Sequence, residues 1–117
     1  MITLKETKQE IVAEPHWWKI ALFDFVDDFR QNRNLSQISE PFDLSDDKTD
    51  ALLASTAESL CDEFGMIAPE WLQSVPASNK PYFVAGIENL KATAIVESPL
   101  RFRIRKVFVL ENFLSRV

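Results

Sequence analysis

Apolar side chains recur at helical spacing along the first half of the chain. Residues 4–13 show a weak amphipathic pattern that predicts a short helix. Residues 15–31 show a stronger one, and Pro15 fits its first turn because a first-turn residue needs no partner for the N–H that proline lacks. At about 100° per residue, this helix aligns one continuous apolar stripe. The stripe comprises Trp18, Ala21, Leu22, Phe25, Val26 and Phe29.

A third helix is predicted over residues 47–64, after a polar loop. Ser45 fits its N-cap, because a serine hydroxyl can accept a hydrogen bond from a first-turn N–H. Gly65 fits the left-handed residue that ends the helix. We expect Phe42 and Leu44 to hold the preceding loop against the core. The predicted core face of the helix consists of Leu53, Ala57, Leu60, Cys61 and Phe64.

The C-terminal third has a less regular pattern. Pro69 can begin a short helix, and residues 87–97 form a helix-like segment. Apolar side chains alternate with arginines between 99 and 105, which is typical of a strand, but the Ser-Pro pair before them favours a helix start. We therefore predict a helical turn at 99–105, an extended segment at 107–110 and a final turn at 111–116. The apolar side of the 87–97 segment consists of Ile87, Leu90, Ala94 and Ile95.

These elements predict a mainly α fold, a compact orthogonal bundle of four to six helices, and they are compatible with a small β-element near the C-terminus. The chain has only two glycines, whereas sheet-rich folds use glycine freely in tight turns. A length of 117 residues fits one domain over 1–117. Within it, residues 1–65 carry six Lys and Arg against fourteen Asp and Glu, and residues 66–117 carry seven against four.

Cysteine usage and hydropathy bear on where the protein is located. The one cysteine, Cys61, allows no internal disulfide. The N-terminal residues lack the apolar segment of a secretory signal, and no apolar run approaches the length of about 18 residues that spans a bilayer. We expect a cytoplasmic protein that has no membrane partner.

Residue types that carry enzyme chemistry are sparse. His16 and Cys61 are the only candidates for a nucleophilic pair, and a structural zinc site needs about four such ligands. Asp24, Asp27 and Asp28 lie close together on the 15–31 helix and offer a weak case for a divalent cation. A second acidic cluster consists of Asp46, Asp47 and Asp50. We expect no enzyme and no cofactor, with a divalent-metal-dependent enzyme as an alternative.

A basic run near the C-terminus has two interpretations. Arg101, Arg103, Arg105 and Lys106 could neutralise phosphates, and Phe102 could stack on a base, as in a nucleic-acid-binding accessory protein. Alternatively, the arginine stems cover apolar core surface while their charged heads meet the acidic half. We favour the second interpretation and keep nucleic-acid binding as the alternative.

The polar side of the 15–31 helix contains three apolar residues, Trp17, Ile20 and Phe23, at spacings of three. Packing on one side only would leave them in water, and exposed apolar patches usually mark contacts. Either the helix is enclosed on both sides, or these residues anchor a protein partner or a homodimer. In the second case the rim of the surface is formed by Asp24, Asp27 and Asp28.

The last forty residues resemble the C-terminal segment of an uncharacterised bacterial family often associated with nucleotidyltransferase-like proteins. The matching residues are Pro81–Gly86, Leu90–Ala92, Glu97–Pro99, Phe102, Arg103, Arg105, Phe108, Val109 and Leu114–Arg116. The resemblance implies an antitoxin-like or partner role and transfers no catalytic residue. Together with the charge balance, it favours a non-enzymatic, small acidic protein–protein interaction module.

Overall fold

In the described residues, three α-helices lie in the first half of the chain and two short ones in the C-terminal third. A computed structural model of the protein describes residues 1–86 and 88–115. The helices are α1 (Leu4–Ala13), α2 (Trp18–Asn32), α3 (Asp47–Glu63), α4 (Lys91–Glu97) and α5 (Leu100–Arg103). The strands β1 (Tyr82–Phe83) and β2 (Val107–Phe108) pair in parallel. The predicted mainly α fold with a small β-element is confirmed.

Helix α3 lies at the centre of the molecule and contacts α1, α2, α5 and β2. Every residue from Asp50 to Glu58 is buried, so the helix is enclosed on all sides there. A helix that is surrounded in this way needs partners for its polar side chains as well as for its apolar ones. The sequence predicted only one buried face for this helix, and that prediction was incomplete.

The stripe predicted on α2 forms the core layer between α2 and the rest of the bundle. Ala21, Leu22, Phe25, Val26 and Phe29 are buried, and Trp18 is half-buried. The helix ends at Arg33, whose φ of 49° is left-handed and whose N–H donates to the carbonyl of Phe29. A 3₁₀ turn at Pro15–Trp17 precedes the helix, so the predicted start at residue 15 is a tighter turn than an α-helix.

The ends of α3 agree with the prediction at one side only. Gly65 has a φ of 64° and follows the C-cap, as predicted. The N-cap is Asp46 rather than Ser45, and the backbone N–H of Ser45 donates to the Asp50 carboxylate at 2.9 Å. In the loop before the helix, Phe42 is buried as predicted, whereas Leu44 is exposed and does not pin the loop.

The C-terminal third mixes short helices with the two strands. The stretch in which apolar residues alternate with arginines contains the short helix α5, in agreement with the predicted helical turn. Phe102 is the residue of α5 that is buried in the core. A 3₁₀ turn at Glu88–Leu90 and α4 replace the predicted 87–97 helix, and Ile95 is exposed rather than packed. Ile87 and the last residue of the predicted 111–116 turn lie outside the described residues.

Candidate protein-binding surface

An apolar patch in a shallow depression lies where α1 ends and α2 begins. Trp17 and Ile20 expose 50% and 51% of their surface, respectively. Ala13 lies beside them, and Glu10 and Glu14 of the α1 end complete the rim. The depression has a volume of about 440 Å³. These five residues are called the Trp17 surface below.

The connection between the two helices holds Trp17 outward. Pro15 starts a 3₁₀ turn of three residues, and the N–H of Trp17 donates to the carbonyl of Glu14 at 3.0 Å. The tight turn directs Trp18 inward, where it packs against the core, and leaves its neighbour in contact with water. A large aromatic side chain is thus presented on a backbone that is already ordered, which lowers the entropy cost of binding.

Negative charge dominates the rim of the Trp17 surface. Glu10 and Glu14 are exposed on α1, and Asp24 is exposed one helical turn beyond Ile20 on α2. His16 lies beside Glu14, with its Nδ1 atom 3.7 Å from a carboxylate oxygen. Exposed carboxylates around an apolar patch favour a partner that brings positive charge.

The structure separates the six residues that were predicted as a partner-binding set. Phe23 is half-buried and its ring packs against Phe113, with 5.5 Å between centroids, so the predicted row of three exposed anchors is wrong at this position. Asp28 accepts hydrogen bonds from the Ile2 N–H at 2.8 Å and from the Gln37 side-chain amide at 2.9 Å, so it fixes the N-terminus instead of forming a rim. Trp17 and Ile20 remain as exposed anchors, whereas Asp24 and Asp27 are exposed on α2.

Sequence reasoning missed the α1 contribution to this surface, namely Glu10, Ala13 and Glu14. Their pattern on α1 is that of ordinary solvent-facing residues. The available signal was the very short connection through Pro15, because helices joined by a few residues pack as neighbours.

The basic run divides into internal and exposed members. Arg101 forms two hydrogen bonds with the Asp62 carboxylate, at 2.9 and 3.1 Å. Arg105 is buried, pairs with Glu58 and donates to the carbonyls of Leu72 and Val75. Both carboxylates belong to the acidic half, as the favoured interpretation required.

Two cations of the basic run, Arg103 and Lys106, are exposed. Phe102 is completely buried, so its ring is not available to stack on a base. Of the four cations predicted to bind nucleic acid, two are therefore exposed. Arg101 is partly exposed, but its guanidinium already faces the Asp62 carboxylate.

The second acidic cluster has structural partners. Asp47 accepts hydrogen bonds from the Asn79 N–H at 2.7 Å and the Ser78 hydroxyl at 3.2 Å. The Asn79 hydrogen bond is the main reason that the pKa of Asp47 is lowered from its usual value. Asp50 pairs with Lys8. Across residues 1–86 and 88–115, no group of three or more His, Cys, Asp or Glu side chains is arranged to hold a metal ion.

A cleft of about 280 Å³ between α2, α3 and the C-terminal segment is lined by both charged and apolar groups. Arg30 binds Glu63 through two hydrogen bonds of 2.9 and 3.0 Å at this cleft. Arg101 likewise forms two hydrogen bonds with Asp62, and both residues also line the cleft. Among the described residues that line the cleft, each guanidinium already faces a carboxylate and is not available to an anion.

The one cysteine, Cys61, is a buried core residue with a free thiol. Cys61 is buried on α3, whereas His16 is exposed in the 3₁₀ turn before α2. Burial raises the pKa of the Cys61 thiol to about 11, and the nearby Asp62 and Glu58 carboxylates add to this effect. Because the thiolate is the reactive form, a raised pKa makes the thiol unreactive at neutral pH.

We expect iodoacetamide at pH 8 to label Cys61 roughly a hundredfold more slowly in the folded protein than in urea. Burial and the scarcity of thiolate both act in that direction. Mass spectrometry of samples quenched over time measures the two rates, with the unfolded chain as the control. Equal rates in the two states would contradict the placement of this thiol in the core.

Comparisons of the chain with protein-family models, with curated proteins and with solved structures found no match. The resemblance of the C-terminal residues to an uncharacterised bacterial family therefore stays a prediction. In the part of the chain that the structure describes, no helix is both long and apolar enough to cross a bilayer. The Trp17 surface is accordingly interpreted from its own geometry and charge.

Proposed function

We propose that this chain is a non-enzymatic protein–protein interaction module that binds a partner on the Trp17 surface. The observation that carries the proposal is the half-exposed pair Trp17 and Ile20 in a depression, on a fixed helix corner. Tryptophan is over-represented among the residues that dominate binding energy at protein interfaces. A large side chain of this kind, half in water, gains free energy when a partner covers it.

The rim specifies the character of the partner. Glu10, Glu14 and Asp24 surround the apolar anchors, so the complementary surface is apolar with a basic border. An amphipathic helix with lysine or arginine beside its apolar stripe has this form, and grooves beside helices commonly bind such helices. The overall charge of −5 favours the same class of partner through long-range attraction.

The resemblance of the C-terminal residues supports a more specific form of the proposal, an antitoxin-like partner of a nucleotidyltransferase-type protein. An acidic protein that covers a basic surface of an enzyme can block access to it. The exposed cations Arg103 and Lys106 would then lie away from the partner, in the basic half of the chain. Nucleic-acid binding receives less support, because Arg105 is occupied internally.

Replacing Trp17 and Ile20 together with alanine should weaken binding of a basic amphipathic helix by at least about tenfold, because both apolar anchors are lost. A synthetic helical peptide of leucine and lysine serves as the probe, and titration calorimetry measures its affinity. Raising the salt concentration should also weaken binding, since the rim charges are exposed.

Ile67→Ala provides a matched control, because Ile67 is 89% exposed but lies outside the Trp17 surface. This variant should bind the peptide as the unmodified protein does. If the double alanine variant retained full affinity, or if the unmodified protein did not bind the peptide, the proposed role of the Trp17 surface would be wrong. Circular dichroism verifies that each variant is folded.

A further inference from the structure

A second exposed apolar surface lies in the basic half of the chain. Leu100 and Ile104 expose 64% and 57% of their surface, respectively. The N–H of Ile104 donates to the carbonyl of Leu100 at 3.0 Å, so Ile104, the C-cap of α5, lies one helical turn beyond Leu100 on the same side. Arg103 and Lys106 are exposed in the same segment. These four residues are called the Leu100 surface.

The Leu100 surface is held rigidly from beneath. Phe102 points from α5 into the core and is completely buried. Arg105 is fixed by its pair with Glu58, and the Ser55 hydroxyl donates to the carbonyl of Arg101 at 3.1 Å. A surface that is ordered before it binds loses little conformational entropy when it docks.

The two apolar surfaces of this molecule carry opposite charge. The rim of the Trp17 surface is formed by the carboxylates of Glu10 and Glu14, whereas the cations of Arg103 and Lys106 accompany the Leu100 surface. The chain as a whole is divided in the same sense, with an acidic first half and a basic second half. Each surface therefore combines exposed apolar side chains with a charge that is opposite to the charge of the other surface.

We propose that the Leu100 surface of one copy binds the Trp17 surface of a second copy. The proposal rests on the proposed function, because it uses the same docking site and names its occupant. Leu100 and Ile104 would cover Trp17 and Ile20, while the cations would meet the Glu10 and Glu14 carboxylates. Like pairing is disfavoured, because two Trp17 surfaces would bring four glutamates together and two Leu100 surfaces would bring their cations together.

Head-to-tail pairing leaves one unoccupied surface of each kind at the ends of every open assembly. Such heterologous contacts grow into closed rings or open filaments rather than stopping at two copies. A basic amphipathic partner competes for the Trp17 surface and shortens the assembly. The contact involves few side chains, so it forms at high protein concentration and weakens as salt screens the exposed charges.

The test uses one variant for each surface, so that each side of the proposed contact is disrupted while the other stays intact. Ile20→Asp disrupts the Trp17 surface, and Leu100→Asp disrupts the Leu100 surface. Both residues are at least half exposed, so the fold should tolerate the changes. Analytical ultracentrifugation measures the average mass at increasing concentration, and circular dichroism verifies the fold.

We expect the mass of the unmodified protein to rise above the 13.4 kDa of one chain, while each variant alone stays at that mass. An equimolar mixture of the two variants should form a dimer and go no further, because only one intact pair of surfaces remains. Arg103→Glu provides a second variant of the Leu100 surface and should behave as Leu100→Asp does. An unmodified protein that stays monomeric, or a mixture that stays monomeric, would overturn the proposal.

Two further results separate this proposal from the proposed function. If Leu100→Asp formed dimers by itself while Ile20→Asp did not, the Trp17 surface would pair with itself, and head-to-tail binding would be wrong. If the unmodified protein stayed monomeric yet bound the leucine–lysine peptide through Trp17, the self-association proposal would be wrong and the proposed function would stand. Self-association that Ile20→Asp leaves intact would overturn head-to-tail binding through the Trp17 surface, whereas the proposed function is decided by the peptide titration.

Discussion

Replacing Arg105 with methionine should lower the free energy of unfolding by about 3 to 5 kcal/mol. Arg105 pairs with Glu58, and both side chains are buried. Its guanidinium also donates to the carbonyls of Leu72 and Val75. Methionine keeps much of the apolar stem but leaves the Glu58 carboxylate without its main cation in the centre of α3. Urea denaturation followed by circular dichroism measures the loss.

Arg103→Met is the matched control, because Arg103 is exposed two residues earlier in the same basic run. Its effect should lie within about 0.5 kcal/mol. The double variant Arg105→Met, Glu58→Leu should recover part of the stability, since it removes both charges and not only one. Equal losses for Arg103→Met and Arg105→Met would show that the buried pair does not exist in solution.

Replacing Lys8 with methionine should produce a loss of similar size, about 3 to 5 kcal/mol, at the other end of α3. Lys8 is buried, pairs with Asp50 and donates to the carbonyl of Asp43 at 2.7 Å. Its ammonium also lies 5.0 Å from the centre of the Phe42 ring. Among the described residues outside the helix, the substitution leaves the Ser45 N–H as the hydrogen-bond partner of Asp50. The free energy of unfolding from urea titration measures this loss.

Lys5→Met provides the comparison on the same helix, because Lys5 pairs with Glu40 at 3.0 Å while both side chains remain exposed. Exposed ion pairs contribute at most about 1 kcal/mol, so this variant should be close to the unmodified protein. A small loss for Lys8→Met, comparable to that for Lys5→Met, would mean that water reaches the Lys8–Asp50 pair.

Helical periodicity predicted the positions of α1, α2 and α3 because each has apolar residues on at least one continuous face. It could not predict that the segment of α3 from Asp50 to Glu58 is enclosed on every side. Asp50 and Glu58 are charged, and a pattern based on hydropathy assigns such residues to water. Their partners Lys8 and Arg105 lie 42 and 47 residues away in sequence, so only the tertiary structure brings the charges together.

The candidate site, like the fold, was predicted from the sequence only in part. Trp17 and Ile20 stood out because they are apolar residues on a polar side of α2, and they are exposed in the structure. Phe23 has the same pattern, but Phe113, ninety residues later, packs on it. A helical wheel contains no information on such distant contacts. The contribution of Glu10 and Glu14 depends on how α1 packs on α2, which the pattern also leaves undetermined.

The long separation between Glu58 and Arg105 bears on the order in which the chain folds during its synthesis. A nascent chain that has emerged from the ribosome only as far as α3 holds a carboxylate in its central helix without the guanidinium that neutralises it. We therefore expect the first three helices to complete their core only after the basic segment has also emerged. Fragments that end before Arg105 should be less stable than the longer chain and more readily cleaved by proteases.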